Sequence, residues 1–443
     1  MQRYSEFIDK ASTLMVDAYH FLHTHPELGY EEWIGHGYLK SAFLSLGYEV
    51  EEFGDIPGFT AVFDTGREGV TVALFGELDA MKNYSHPDCD KVTGAVHACG
   101  HDFQCANLLG VAYLLKKCDT KKLCGRVKFV IVPAEEGVEI LKRHELIKKG
   151  LIKYTSGKPE LIRRGIIDDV DIGYQNHIGV NLRGMKIHRG ANGLIRKSVK
   201  LIGKSAHAGK NPCDGVNALY CANILMTAIN ALRETFREED YVRVHPIITK
   251  GGDGVNTVPS DVRLECYVRG ATPKVIREVN YKVNRAISGS AIALGANASV
   301  LDLAGCMPLC NSTVLAEIAL KSASVAYVDS ASEFTSDWET SSSDMGDVSC
   351  ILPTVMTWVE GAKGSLHGAD FVIEDVKSSC VKSAVQQIEM LRMLLEDECM
   401  IAKKVIKETP VSFKTKEEYL NYLDDFSFDG EVVDYDDGIR VKL

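Results

Sequence analysis

RVKFVIVPAEEG, Arg126 to Gly137, decides how this chain folds. After the arginine its first half, to Val132, is a near-continuous apolar run, VKFVIV. A strand with one buried face alternates apolar and polar residues, whereas a run without alternation suits a strand covered on both faces. The run stops at Pro133, and two adjacent carboxylates, Glu135 and Glu136, follow. Just past a buried strand such a pair is costly unless a cation or solvent compensates it. The stretch therefore predicts a central strand with a charged site at its carboxyl end.

The neighbouring segments extend the pattern. Phe59 to Phe63 and Val70 to Phe75 are short, β-branched or aromatic, and bounded by glycine. The second runs into Gly76-Glu77-Leu78-Asp79. Val170 to Tyr174 is a weaker strand ending at Asn176-His177, and Pro353 to Val359 is an apolar strand followed by Gly364-Ser365-Leu366-His367-Gly368. Helical spacing marks Phe7 to Leu22, halted near Pro26, then Glu31 to Leu46, Val314 to Ala326 and Phe371 to Leu395. Strands alternating with helices imply an α/β fold with a mostly parallel sheet and helices on both faces. Ligands of such sheets collect beyond the carboxyl ends of the strands. Asp79, Glu135, Glu136 and His177 sit there, and His367 takes the same position after a later strand.

HACGHD, His97 to Asp102, lies between these strands and leads into an apolar helical pattern (Ala106, Leu109, Val111, Leu114). Cys99 and His101 are two residues apart, so a loop could aim both at one point. Thiol and imidazole are ligands that zinc prefers. On this stretch alone, a buried thiol beside a structural histidine explains the residues equally well. His20, His23, His25 and His36 are also close in sequence, but no carboxylate or thiol accompanies them at a strand end. Val138 to Asp169 is basic and helical in pattern and suggests no chemistry of its own.

From about Leu182 to Leu303 the texture changes to a compact antiparallel α+β unit. Its expected strands are Gly193 to Ile202, Tyr241 to Thr249, Val262 to Val268 and Ala298 to Leu303, with helices at Asn217 to Leu232 and Pro273 to Leu294. The expected divisions are 1–181 and 304–413 for a three-layer α/β/α catalytic domain, 182–303 for the inserted unit, and 414–443 for an acidic extension. That last segment carries Asp424, Asp425, Asp429, Glu431, Asp434, Asp436 and Asp437, and is expected to be solvated or loosely docked.

At 443 residues the chain exceeds one domain of about 150 residues. A formal net charge of −11 argues against a nucleic-acid partner. No apolar run reaches the roughly eighteen residues of a membrane span, and the polar, mixed stretch from Met1 to Lys10 suggests no secretory signal. Thirteen cysteines without regular spacing point to thiols in a reducing cytoplasm.

In order along the chain come HTHPELGYEE, ELDA, HACGHD, PAEEG, SAHAG, GVNTVP and SLHGADF. Together they resemble the two-metal amidohydrolases that include aminoacylases, hippurate hydrolase, auxin-conjugate hydrolases and p-aminobenzoyl-glutamate hydrolase. The resemblance spans His23 to His367. It implies a catalytic domain with a lid insertion that forms a homodimer, and two divalent metal ions, zinc or manganese. It implies metal ligands at Cys99, His101, Glu136, His177 and His367, with Glu135 as general base toward a metal-bound water. His207 matches a lid histidine that reaches the partner subunit's site and could donate to the oxyanion. Asn256 and Arg269 match, more loosely, residues that hold a substrate carboxylate, and Asp79 is placed to orient a ligand histidine.

The chain departs from the pattern in three places. Gly137 leads straight into VEILKRHEL where relatives have a glycine-rich run, ELDA lacks the arginine seen in many relatives, and Gly368-Ala369 replaces Thr-Pro. The implied reaction is hydrolysis of N-acyl or N-aroyl amino acids or related small amides. The alternatives are a dipeptidase or aminopeptidase-like enzyme on the same site, and an inactive relative that binds metal or a small amide.

Overall fold

The computed structural model of the protein describes residues 4–434 and the backbone at 440 and 441. Met1 to Arg3 of the polar amino terminus, and Asp436 and Asp437 of the acidic tail, lie outside the described residues.

Arg126–Val132 forms a strand, buried from Val127 onward. It lies inside a nine-stranded sheet. Thr71–Glu77 pairs with it in parallel, Glu77 opposite Val132, and Ile172–Val180 pairs in parallel with Thr71–Glu77. Thr354–Lys363 continues the parallel run beside Ile172–Val180. Antiparallel strands flank the parallel run, Phe59–Asp64 and Val50–Glu52 on one side, Met185–Ile187 on the other, with Glu333–Phe334 outside it in parallel. Several expected strands prove longer than their apolar pattern, Thr71–Glu77 and Ile172–Val180 among them. Glu77 therefore lies within its strand, and His177 sits in the middle of Ile172–Val180 rather than past its end.

Helices cover both faces. Ser5–Thr24, His101–Lys117, Thr313–Ala326 and Val376–Leu395 build one apolar layer with the sheet. His101–Lys117 is buried from His101 to Leu115, which explains why its sequence is apolar almost all round. Gly157–Arg163, Met345–Ser349 and Lys416–Asp424 close the other face. The result is the expected three-layer α/β/α arrangement.

The second sheet is antiparallel. Its order is Arg243–Lys250, Asp261–Gly270, Gly193–Ile202, Asn297–Cys306, Phe428–Asp434 and Arg440–Val441. Asp261–Gly270 alternates intermediate and buried residues along its length, as a strand with one covered face does. Ala218–Leu232 and Pro273–Leu294 pack on it, each begun by a side-chain cap, from Asn217 and Thr272.

The acidic tail departs from expectation. Lys416–Asp424 is a docked helix with Tyr419 and Leu423 buried, and Phe428–Asp434 is a strand of the second sheet with Val432 and Val433 buried. An apolar minority carries the packing of this otherwise charged segment. A small sheet of Leu309–Cys310, Gly190–Ala191 and Trp338–Glu339 was not foreseen.

Among the described residues no disulfide forms, and no helix is long and apolar enough to cross a membrane.

Candidate metal centre

Cys99 and His101 converge because Gly100 between them adopts φ 86°, a left-handed conformation that only glycine takes freely. A Cβ at Gly100 would also lie 2.4 Å from Ile178 Cγ2. The turn sets Cys99 Sγ 3.5 Å from His177 Nε2 and 3.3 Å from His367 Nε2. His367 Nε2 is in turn 3.3 Å from Glu136 Oε1. Donor atoms of Cys99, His101 and His177 lie within 4.8 Å of one another, and so do those of Cys99, Glu136 and His367. The thiol of Cys99 belongs to both groups.

Each of these side chains is held from behind. His101 Nδ1 is 2.8 Å from the Asp79 carbonyl and 3.3 Å from Asp79 Oδ1, which turns Nε2 toward the cluster. Asp79 Oδ2 accepts the Glu136 N–H at 2.8 Å, so one carboxylate braces two strand ends. His177 Nδ1 lies 2.9 Å from the Ile178 carbonyl, and its ring packs on Trp358 at 4.3 Å. His367, at φ 64°, donates its N–H to the Ala98 carbonyl at 2.9 Å.

The donor set fits a cation. His101 Nε2, Glu136 Oε1 and Asp79 Oδ1 are buried without a hydrogen-bond partner. An unsatisfied buried polar atom costs about 1–3 kcal/mol, and a divalent ion in each group would satisfy the first two. One thiol, three imidazoles and a carboxylate are donors that zinc accepts at tetrahedral sites.

The electrostatics divide the two adjacent glutamates. Burial, then Glu77, Asp344 and Glu136, push the Glu135 carboxyl well above its ordinary range. Glu136 is buried too, but His367 and His101 outweigh that and hold it well below. Burial and Glu136 oppose ionisation of Cys99, yet His101, His367 and His177 bring the thiol down to about 6. His367 is pushed up to about 12, by Glu136 first and against burial.

A cavity of about 210 Å³ opens onto the cluster. Cys99, Glu135, Glu136, His177 and His367 line it from the large sheet, and Arg269 from the second sheet, with its guanidinium 5.4 Å from the Tyr267 ring centroid. His207 and Asn256 do not line it. Both are exposed, on adjoining loops joined by the Ala208 N–H to the Asn256 carbonyl at 2.9 Å. His207 Nδ1 accepts the N–H groups of Gly209 and Lys210, each at 3.1 Å. The amino-terminal histidines do not gather: His23 lies 2.9 Å from Asp102 and His36 3.0 Å from Glu52.

Sequence reasoning missed a buried network behind the cluster. Glu77 Oε2 lies 3.2 Å from His101 Nε2, and Lys158 Nζ bonds both Glu77 and Asp344. Lys158 holds Glu77 at about 2 against the cost of burial. The signal for Glu77 was its place two residues before Asp79. Lys158 comes from Val138 to Asp169, the segment given no chemistry, and nothing in its composition marks it.

A model of the peptidase family M20/M25/M40 matches residues 73–396. The chain is 30% identical over 257 residues to a p-aminobenzoyl-glutamate hydrolase component of Escherichia coli K12, covering 55% of this chain and 54% of that protein. It is 30% identical over 259 residues to indole-3-acetyl-aspartic acid hydrolase of Enterobacter agglomerans, with the same coverage. The matched region thus spans about half the length of either relative. A dinuclear metal binding peptidase of Bacillus subtilis shares the fold, with a TM-score of 0.64 over 87% of this chain and 99% of that one, at 18% identity.

Proposed function

The chain belongs to peptidase family M20/M25/M40, and from that premise we propose that it is a metal-dependent amidohydrolase of N-acyl or N-aroyl amino acids or related small amides. The observation that carries the reading is the thiol of Cys99 shared by two donor groups, with the raised carboxyl of Glu135 in the same cavity. The names of the two relatives, hydrolases of an acylated glutamate and an acylated aspartate, agree with it.

In this reading Cys99, His101 and His177 would hold one divalent ion, and Cys99, Glu136 and His367 another. The thiolate favours zinc over magnesium, and the histidines and glutamate also suit manganese. When bound, such ions supply Lewis-acid charge and bring the acidity of water toward neutral pH. Glu135 takes a proton from the attacking water and returns it to the leaving amine. A carboxyl raised above its ordinary range is the better suited to hold that proton between the two steps. Asp79 fixes the tautomer of His101 through Nδ1. Arg269 offers a forked partner to a substrate carboxylate. His207 serves the site of a second copy, in a homodimer formed through the 182–303 unit, and the cytoplasm is the compartment that suits thirteen cysteines.

The test is turnover of N-acyl amino acids and dipeptides by metal-stripped protein, with zinc, manganese or nothing returned. Metal-dependent release of an amino acid from the N-acyl compounds is expected. Release from dipeptides alone would make the enzyme a dipeptidase, and activity indifferent to chelation would overturn the metal reading. Glu135→Gln is expected to retain both metals by elemental analysis and to lose about 10²-fold or more in kcat, roughly the contribution of a positioned base.

A further inference from the structure

The cavity holds one cation that the reading above leaves unused. Arg196 lies in Gly193–Ile202, is 2% exposed, and lines the cavity wall. Its Nη1 donates to Thr155 Oγ1 at 2.6 Å and to the Ala304 carbonyl at 3.5 Å, and its Nη2 donates to Ser156 Oγ at 2.9 Å. Nε has no partner. None of the described carboxylates forms an ion pair with it. Of the other buried cations nearby, Lys158 pairs with Glu77 and Asp344 and Lys197 with Asp302, whereas Arg143, which donates to the Ala134 and Thr155 carbonyls, does not line the cavity. Asp347, whose charge would be felt at Arg196, has its carboxyl pushed up to about 8 by burial and by Asp344.

The unpaired Nε shares one edge of the group with Nη2. A guanidinium presents five N–H groups in a fixed fork, and the Nε–Nη2 edge is one that a carboxylate grips with both oxygens. Having no side chain, Gly137 puts only backbone against this edge. A Cβ at Gly137 would lie 2.8 Å from Arg196 Nε, 3.0 Å from Nη2 and 2.7 Å from the Tyr267 hydroxyl. That hydroxyl donates to the Gly137 carbonyl at 2.5 Å, which fixes the loop directly after Glu136. Gly137, Ser156, Arg196 and Tyr267 all line the same cavity as Cys99 and Glu135. A guanidinium buried in this way, without its counter-charge, awaits one from a ligand.

We infer that Arg196 is a specificity-determining residue whose Nε–Nη2 edge receives a carboxylate of the substrate, separate from the one offered to Arg269. The inference rests on the amidohydrolase reading and narrows it to substrates with two negative charges. The second carboxylate belongs either to an acidic amino-acid side chain or to a dicarboxylic acyl group, and the two differ in a direct comparison.

The experiment uses the full chain loaded with zinc or manganese and two substrate pairs. N-acetyl-glutamate is set against N-acetyl-glutamine, and N-succinyl-alanine against N-succinamoyl-alanine. The wild type is expected to prefer the dianionic member of one pair tenfold or more in kcat/KM, mainly through KM, and the pair that responds identifies the source. Arg196→Gln, which keeps a side chain able to bond Thr155 and Ser156, is expected to reduce that preference to threefold or less. Gly137→Ala, whose methyl covers the edge without removing the arginine, is expected to do the same. Equal use of both members by the wild type, or a preference that survives both variants, overturns the inference and leaves the hydrolase reading standing. Where no compound is turned over, the same pairs are titrated by calorimetry into Glu135→Gln protein with and without Arg196→Gln. A tenfold difference in Kd that Arg196→Gln removes supports the site, and equal affinities reject it.

Discussion

Glu135 and Glu136 are neighbours in the chain, yet one carboxyl is driven up and the other down. The pair was legible in the sequence because it follows an apolar strand. The division of labour was not, since it depends on His367, more than two hundred residues away, and on Asp344. The same holds for Asp347, which nothing in the sequence marks as unusual. It is buried, accepts the Tyr419 hydroxyl at 2.8 Å and the Met307 N–H at 3.2 Å, and leaves Oδ2 without a partner. Its folded value of about 8 exceeds the roughly 3.9 of an unfolded aspartate. Between those values the folded state binds more protons, so this group lowers stability as pH rises from about 4 to about 8, and changes nothing further above. Asp347→Asn keeps an acceptor and removes the titration. Its stability relative to wild type in urea is expected to rise across that window, by up to about 1.4 kcal/mol per pH unit. A difference constant with pH would show the aspartate to be ionised throughout.

Elements with strong periodicity were read almost to the residue. Arg126–Val132, Gly193–Ile202 and Pro273–Leu294 have the bounds expected of them, because apolar spacing and caps act within each segment. Ile172–Val180 extends past its apolar run, since Gln175, Asn176 and His177 are polar and still paired in the sheet. Phe428–Asp434 failed for a related reason: FDGEVVD reads as charge, and only Val432 and Val433 are buried. Its strand character comes from the waiting edge of Asn297–Cys306, where Val433 sits opposite Ala298. If that edge is part of the second sheet's core, Val433→Ala is expected to lower unfolding stability by about 1–3 kcal/mol, the range for removing buried methyl groups. A change within a few tenths, measured by urea denaturation, would mean that the strand is dispensable.

Across the whole molecule, two sheets face one cavity, and five proposed metal ligands drawn from distant segments meet there, four from past strand ends or from a helix start and His177 from within its strand. Their meeting follows from motif order and strand position. The role of His207, which does not line the cavity, rests on the resemblance alone, which assigns it to a partner's site. If His207 serves the partner's site, His207→Ala and Glu135→Gln proteins are each expected to be inactive alone. Mixed and allowed to exchange protomers, they should regain metal-dependent activity, because one site of each mixed pair has both groups. Activity absent from the mixture would confine His207 to its own loop.

The tail has a mechanical meaning as well. Its helix is fastened to the large lobe, where Tyr419 reaches Asp347 and Asp424 meets Lys153 and Tyr154, while its strand is stitched into the other lobe. Between Asp424 and Phe428 run three residues, a leash that spans about 10 Å at full stretch. Buried apolar packing already runs from the large sheet to Ile195, Ile276 and Ala304 of the other lobe, and the leash adds a further chain crossing, so prising the two apart has to unzip the Phe428–Asp434 seam or pull Lys416–Asp424 from its socket.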